Sequence, residues 1–292
     1  MRGLRQLIIR NLKRYYRDKG VLFFSFLSVL IVVALYIFFL ADMQIQNLSS
    51  ELGKSSNNSQ IIYGWIIGGL LCVPTLSVPL FILTFKVEDY IEGSQDDMLV
   101  TPINRSFIMF GYMIAAWITG VIMTVLTLIL GELFIVAKGG SLLPAIDHLK
   151  IFGIIVLSVF VYVGFSFFFI IRLKSNISLS IVNTLLNTLI GFFAGLYFPL
   201  GYLSDKIAIV IKLFPLAHSS ALFRSIMIRD NLESSVPNAT LTTINKMKQE
   251  YGLDLNINGH VFTSLEMLLY LAAFGLLFYI ASVLHLKRYK RK

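Results

Sequence analysis

Residues 61–105 read IIYGWIIGGLLCVPTLSVPLFILTFKVEDYIEGSQDDMLVTPINR. From Ile61 to Phe85 no residue carries a charge. A helix needs about 20 consecutive apolar residues to cross a bilayer, and this run is long enough. Its continuity argues against a barrel strand, where lipid-facing and lumen-facing residues alternate. Pro74 and Pro79 predict a kink, because each removes a backbone donor. The next stretch, 86–105, carries Glu88, Asp89, Glu92, Asp96 and Asp97 against Lys86 and Arg105. An apolar span that ends in a compact acidic loop sets the reading of the whole chain.

Working outward, five more runs qualify as spans: 21–41, 106–137, 151–171, 177–200 and 264–286, beside 61–85 itself. Val21 to Ala41 holds no charge. The 106–137 run is long enough to tilt or protrude and holds Glu132 near its far end. That carboxylate reads either as a headgroup-level group or as a gate partner. The turn Arg172 to Asn176 separates the fourth and fifth spans. Composition agrees, since 57% of the 292 residues are hydrophobic and only 14% charged. Soluble domains run near about a quarter charged, so a soluble or disordered chain is excluded. A single cysteine, Cys72, excludes a disulfide framework. The expected fold class is an all-α polytopic membrane protein, one domain over 1–292 with six transmembrane helices.

Charge sets the orientation. Sixteen of the 25 lysines and arginines fall in 1–20, 86–105, 172–176 and the tail after 286. They are about three times denser there than in 42–60, 138–150 and 201–261, which places both termini in the cytoplasm. The net charge of +9 is then a topology signal, helped by anionic membrane lipid. It does not point to nucleic acid. The first apolar run is longer than a signal-peptide core and no small-x-small site follows it, so cleavage is not expected.

Three segments are not simple spans. In 4–19, Leu4, Leu7, Ile8, Leu12 and Tyr15 share one helical face, and Arg10, Lys13, Arg14 and Arg17 the other. This predicts an amphipathic interfacial helix, a basic anchor or an elbow feeding the first span, with Gly20 as its stop. The 86–105 loop lacks calcium-loop spacing and histidine, so it reads as a short helix offering charge to a cytoplasmic partner rather than as a metal site. In 201–261 the first half is too apolar for water and too interrupted to span. That predicts a re-entrant or interfacial hairpin, followed by a polar external cap over about 230–260.

Catalytic signatures are missing. Gly53-Lys54-Ser55 mimics the end of a phosphate loop, but the upstream glycine position is Leu48. His148, His218, His260 and His285 are scattered without zinc-ligand spacing. No Gly-x-Ser-x-Gly elbow occurs. No catalytic residue, metal ligand or cofactor is assigned to this chain. Inside the fifth span, Asn183 and Asn187 share a face with Ser180, Thr184 and Thr188. Such a face serves helix–helix hydrogen bonding or lines a cavity.

These parts in this order resemble an ABC-2-type permease, the transmembrane subunit of an ABC exporter with a G-subfamily-like fold. The resemblance covers essentially the whole chain. The family pattern in the first cytoplasmic loop is approximately Glu-x-Gly-Thr-x-x-x-Leu-x-x-Thr-Pro-x-x-Arg. Here it reads Glu92-Gly93-Ser94-Gln95-Asp96-Asp97-Met98-Leu99-Val100-Thr101-Pro102-Ile103-Asn104-Arg105. Ser94 replaces a threonine, and Asp96-Asp97 a more apolar pair. A second match is Gly195-Leu196-Tyr197-Phe198-Pro199 leading to Leu213-Phe214-Pro215. The resemblance implies that Glu88, Glu92, Gly93, Asp96, Asp97, Leu99, Thr101, Pro102 and Arg105 form the coupling segment that docks on an ATPase. It implies a cavity between two permease copies, lined from the fifth span by Asn183, Thr184, Asn187, Phe192, Phe193 and Tyr197. Trp65 and Thr75 would line it from the second span. It further implies two copies of an ABC ATPase, carrying ATP and magnesium, and a second permease copy, identical or paralogous.

The cargo class implied is a hydrophobic or amphipathic compound: a drug, toxin, haemolytic lipid or peptide. Within the family the alternative is lipid-linked polysaccharide export. Outside it stand an ATP-independent secondary transporter, which predicts inverted repeats and midplane charges, and a membrane anchor that recruits cytosolic partners. A membrane hydrolase or lipid transferase is the enzyme reading.

Overall fold

The computed structural model describes residues 2–23, 27, 31, 34, 41–52, 56–100, 104–197, 199–235 and 241–289. The expected first span, 21–41, lies almost wholly outside the described residues, as does Gly53-Lys54-Ser55. The elements are α1 (Arg2–Arg17), α2 (Ala41–Leu52), α3 (Ser56–Leu70), α4 (Cys72–Ile91), α5 (Ser94–Leu99), α6 (Arg105–Ala137), α7 (Ala145–Ile170) and α8 (Asn176–Phe193). They continue with α9 (Asp205–Lys212), α10 (Pro215–Met227), α11 (Arg229–Ser235), α12 (Leu241–Glu250) and α13 (Ser264–Tyr289). A two-residue hairpin, β1 (Asn256–Ile257) with β2 (His260–Val261), precedes α13. The chain is a helical, polytopic membrane protein. Among the described residues, five helical runs are long and apolar enough to span: Asn57–Ile91, Ser106–Ala137, Ala145–Ile170, Asn176–Phe193 and Ser264–His285.

Helix boundaries follow local chemistry. The amphipathic helix stops at Arg17, not at Gly20. Asp18 Oδ1 accepts the Val21 N–H at 3.0 Å and so caps a new helical segment that contains Gly20. Within the stretch expected as a loop, Ala41–Leu52 and the residues from Ser56 onward are helical, with Leu48 fully buried and Asn58 donating to Ser49 Oγ at 3.0 Å. The break between α3 and α4 falls at Leu71. Pro74 has no N–H to serve the Leu70 carbonyl one turn back. The helix expected over 151–171 starts at Ala145, because Pro144 ends the preceding turn and Asp147 sits in the first turn, where the helix dipole favours it. The fifth run ends at Phe193 rather than near 200. Gly195 adopts φ +60 and the Leu196 N–H turns back to the Gly191 carbonyl at 2.8 Å.

Packing depends on small residues where helices cross, as in other membrane bundles. A Cβ on Gly164 of α7 would lie 2.5 Å from the Tyr279 ring of α13, and one on Gly120 of α6 2.7 Å from Val159 of α7. Tyr279 donates to the Phe160 carbonyl at 3.0 Å and stacks on the Phe160 ring. Phe165, Phe214, Phe274 and Phe278 form an aromatic cluster joining α7, α13 and the α9–α10 junction. Helices α9 and α10 meet at 86° across Leu213 and Phe214.

The far end is tied by Arg224 of α10, which is 1% exposed. Its Nη2 donates to the Gly195 carbonyl at 2.8 Å and its Nε to the Trp65 carbonyl at 3.2 Å, with the guanidinium 4.3 Å above the Trp65 ring. Trp65 Nε1 donates to the Tyr251 carbonyl at 2.7 Å, and Tyr251 Oη to Gln44 at 3.2 Å. Within the 230–260 segment Met247, Tyr251, Leu253 and Leu255 are buried, which anchors that part of it to the bundle.

Replacing Gly164 with leucine should force α7 from α13 and cost about 1–3 kcal/mol by overpacking. Gly153→Ala, where a Cβ meets nothing within 4 Å, should leave the melting temperature unchanged or raise it. Thermal unfolding of both variants in the same detergent checks the pair.

Candidate functional site

The end of α4 is held by a buried carboxylate. Asp89 is 1% exposed at its side chain and faces α1. Arg10 Nη2 reaches Asp89 Oδ1 at 2.5 Å and Arg14 Nη1 reaches it at 3.0 Å, while the Tyr112 hydroxyl of α6 donates to Oδ2. Arg14 also pairs with Glu88 at 2.8 Å and lies 4.5 Å above the Phe85 ring. Arg10 and Arg14 stand one turn apart, so both point to the same side of α1. Burial disfavours the Arg10 charge. The hydrogen bond and attraction to Asp89, with the contact to Tyr112, outweigh it and raise the Arg10 pKa.

The short helix α5 hangs from this cluster. Gly93, at φ +80, turns the chain out of α4, a conformation that favours glycine. Met98 Sδ then lies 3.9 Å from Arg10 Nη1 and 4.0 Å from Tyr112 Oη. Gln95 is buried, whereas Glu92, Asp96 and Asp97 are exposed. Lys86 completes the end of the bundle. Its Nζ donates to the Ile171 and Leu173 carbonyls at 3.2 and 3.5 Å, tying α4 to the α7–α8 turn.

The acidic residues of 86–105 thus divide by role. Glu88 and Asp89 hold α1, and Glu92, Asp96 and Asp97 face outward. Thr101 and Pro102 lie outside the described residues, and Leu99 and Arg105 are placed by their backbones alone, at the end of α5 and the start of α6. Sequence reasoning missed Arg10, Arg14, Tyr112, Met98 and Lys86. The available signal was the i, i+4 pair of arginines facing two adjacent carboxylates, but nothing local shows that α1 docks on α4.

The second candidate region is the outer face of α8. Thr184 and Asn187 are exposed with Ser180 and Thr188, and Ile181 and Leu185 flank them at 57% and 55% exposure. Asn187 Nδ2 donates to the Asn183 carbonyl at 2.8 Å. Asn183 is half-buried, and its Oδ1 has no hydrogen-bond partner among the described residues. Ser180, Ile181, Thr184, Leu185, Thr188 and Leu189 line a shallow groove of about 460 Å³. Phe192 and Tyr197 lie at its upper end, ring against ring at 5.0 Å, both exposed.

Three expected cavity residues do not join this face. Phe193 stacks on Phe214 at 4.3 Å and belongs to the aromatic cluster, because it stands on the opposite side of α8 from Thr184. Trp65 is buried under Tyr251 and Arg224. Thr75 is fully buried and donates to the Cys72 carbonyl at 2.7 Å, satisfying its hydroxyl within α4. Glu132 is likewise turned inward. It is 7% exposed, meets His148 Nε2 at 2.8 Å and accepts the Leu143 N–H at 3.3 Å. It ties the α6–α7 connection. Among the described residues no three histidine, cysteine, aspartate or glutamate side chains converge on a possible metal position.

The described residues thus form a helical membrane bundle with a polar-lined outer face and a docked amphipathic helix. The family of ABC-2 family transporter proteins matches residues 40–284, most of the chain, and the chain belongs to that family. It is accordingly an integral-membrane permease component of an ABC transporter, a class that associates with an ABC ATPase subunit and dimerises. No curated protein matches the chain significantly.

Asp89→Ala should cost about 2–3 kcal/mol, since it leaves two arginines facing each other, each still a third exposed. Glu88→Ala should cost under about 1 kcal/mol, as expected for a pair whose two side chains are each about a third exposed to solvent. Melting temperatures of the two variants decide the ranking.

Proposed function

We propose that this chain is the permease of an ATP-driven exporter that moves a hydrophobic or amphipathic compound out across the cytoplasmic membrane. Two copies of a separate ATPase, carrying ATP and magnesium, supply the energy, and a second permease copy completes the path. Both termini lie in the cytoplasm. The observation that carries this reading is the Asp89 cluster. It joins α1, α4, α5 and α6 into one unit at the end of the bundle that the charge distribution places in the cytoplasm. A push on α5 is transmitted to α4 and α6 because Met98 rests on Arg10 and Tyr112, and both hold Asp89. Glu92, Asp96 and Asp97 are left free to meet the ATPase.

The α8 face supports the cargo class. Hydroxyls and amides beside Ile181, Leu185 and Phe192 suit a molecule with both polar and apolar parts. Exposed polar side chains on a spanning helix are costly in lipid, so this face belongs against a cavity or a second copy. In the transport cycle, ATP closes the ATPases, α5 and α1 carry the motion to the spans, the cavity collapses and cargo leaves past the α9–α10 bend.

Glu92→Arg should uncouple the pair, leaving a folded permease whose cargo no longer stimulates ATP turnover. Stimulated turnover at the wild-type level would overturn the coupling role of this loop. Replacing Thr184 and Asn187 together with leucine should change cargo-stimulated ATPase activity by tenfold or so in apparent affinity, about 1.4 kcal/mol. Basal turnover should be retained. Purification from the native membrane should recover an ABC ATPase with the wild-type chain.

A further inference from the structure

The outward face of α1 carries a stripe that the fold leaves open. Gln6, Arg10, Lys13 and Arg17 recur at one-turn spacing, and with Ile9 and Arg14 they line a shallow groove of about 540 Å³. Helix α1 contains no acidic residue. Two of the four cations, Arg10 and Arg14, already hold Asp89 and Glu88 from behind. Lys13 and Arg17 are exposed and have no hydrogen bond or ion pair among the described residues. The groove therefore carries positive charge beyond what Asp89 and Glu88 balance. The stripe precedes residues 40–284, so the family match does not extend to it.

We infer that this groove is a binding site for the phosphate headgroup of an anionic phospholipid. Three observations favour a lipid over a soluble anion. Ile9, 36% exposed, borders the cations and offers apolar contact where an acyl chain would begin. The opposite face of α1 is fastened to α6, with Leu7 and Tyr15 buried and Leu7 seated over Gly111, so Lys13 and Arg17 face away from the bundle. The end of the bundle that holds α1 is the end where the charge distribution places the cytoplasmic leaflet, whose lipids are anionic. Arg10 and Arg14 give the site a consequence. A headgroup in the groove shares these guanidiniums with Asp89 and Glu88 and counters the mutual repulsion of the four cations. That holds α1 on α4 and steadies Met98 of α5 beneath Arg10. Only this regulatory consequence rests on the exporter reading. The lipid site stands without it.

The test reads lipid on the permease alone. The full chain is purified with equal amounts of phosphatidylglycerol and phosphatidylcholine, and retained lipids are counted by native mass spectrometry. Wild type should retain phosphatidylglycerol preferentially, and K13Q/R17Q should lose roughly thirtyfold of that preference, at about 1 kcal/mol per cation near an anionic surface. K206Q/K248Q, at the other end, should match wild type. Equal melting temperatures of wild type and K13Q/R17Q establish that the fold is intact. An unchanged preference in K13Q/R17Q overturns the site. Removal of the lipid by millimolar inorganic phosphate would show a soluble-anion site instead. Loss of ATPase co-purification in K13Q/R17Q with lipid retention unchanged would make the stripe a protein-docking surface and also overturn it.

Discussion

A carboxylate that is 1% exposed cannot stay charged without partners, and Asp89 organises its end of the molecule around that constraint. Two guanidiniums from α1 and a phenol from α6 converge on it. With Met98 of α5 resting on Arg10 and Tyr112, four segments are thereby given one register. In a bilayer this matters more than in water, because lipid tails are as apolar as the helices and supply little drive for helices to associate. Packing and hydrogen bonding must hold the assembly. The Asp89 cluster supplies directional bonds at one end, and the glycine contacts of α6, α7 and α13 supply close packing in the middle.

Arg224 does the equivalent at the other end with different partners. Its guanidinium binds the carbonyls of Gly195 and Trp65 and lies over an indole. Gly68 and Gly69 leave the room it needs, since a Cβ on Gly69 would lie 2.5 Å from its Nη2. Those carbonyls belong to the end of α8 and the middle of α3, so one side chain fixes α10 against both. The bent α9–α10 pair is thus bolted to the bundle. Asp147, fully buried, adds a second tie there, accepting from Lys150 at 3.0 Å and from Arg229 of α11.

Between these two anchored ends, α8 leaves one flank open. Its Leu179, Leu186 and Ile190 are buried, while Ser180, Thr184, Asn187 and Thr188 face out. The contrast with α4, where most residues are buried, separates a structural core helix from one with a surface to offer. Trp65 and Thr75 are buried and make internal bonds, whereas Ser180, Thr184 and Thr188 of α8 are exposed.

The sequence by itself determined which segments are apolar enough to cross a membrane, because about 20 uncharged residues in a row have no other stable setting. It also determined the amphipathic character of α1, a property of near neighbours along the chain. The polar column of α8 was legible for the same reason, as helical spacing alone places Ser180, Thr184 and Asn187 together. The cap at Asp18, the helix inside 42–60 and the early end of α8 at Gly195 were not legible, since composition does not report which backbone groups find partners. Only the tertiary structure decided that Asp89 is an anchor while Asp96 and Asp97 face outward, that Phe193 is core while Phe192 is surface, and that Trp65 lies beneath Arg224. Each of these depends on contacts between residues far apart in the chain. A local pattern fixes the face a side chain occupies, and only packing decides what that face meets.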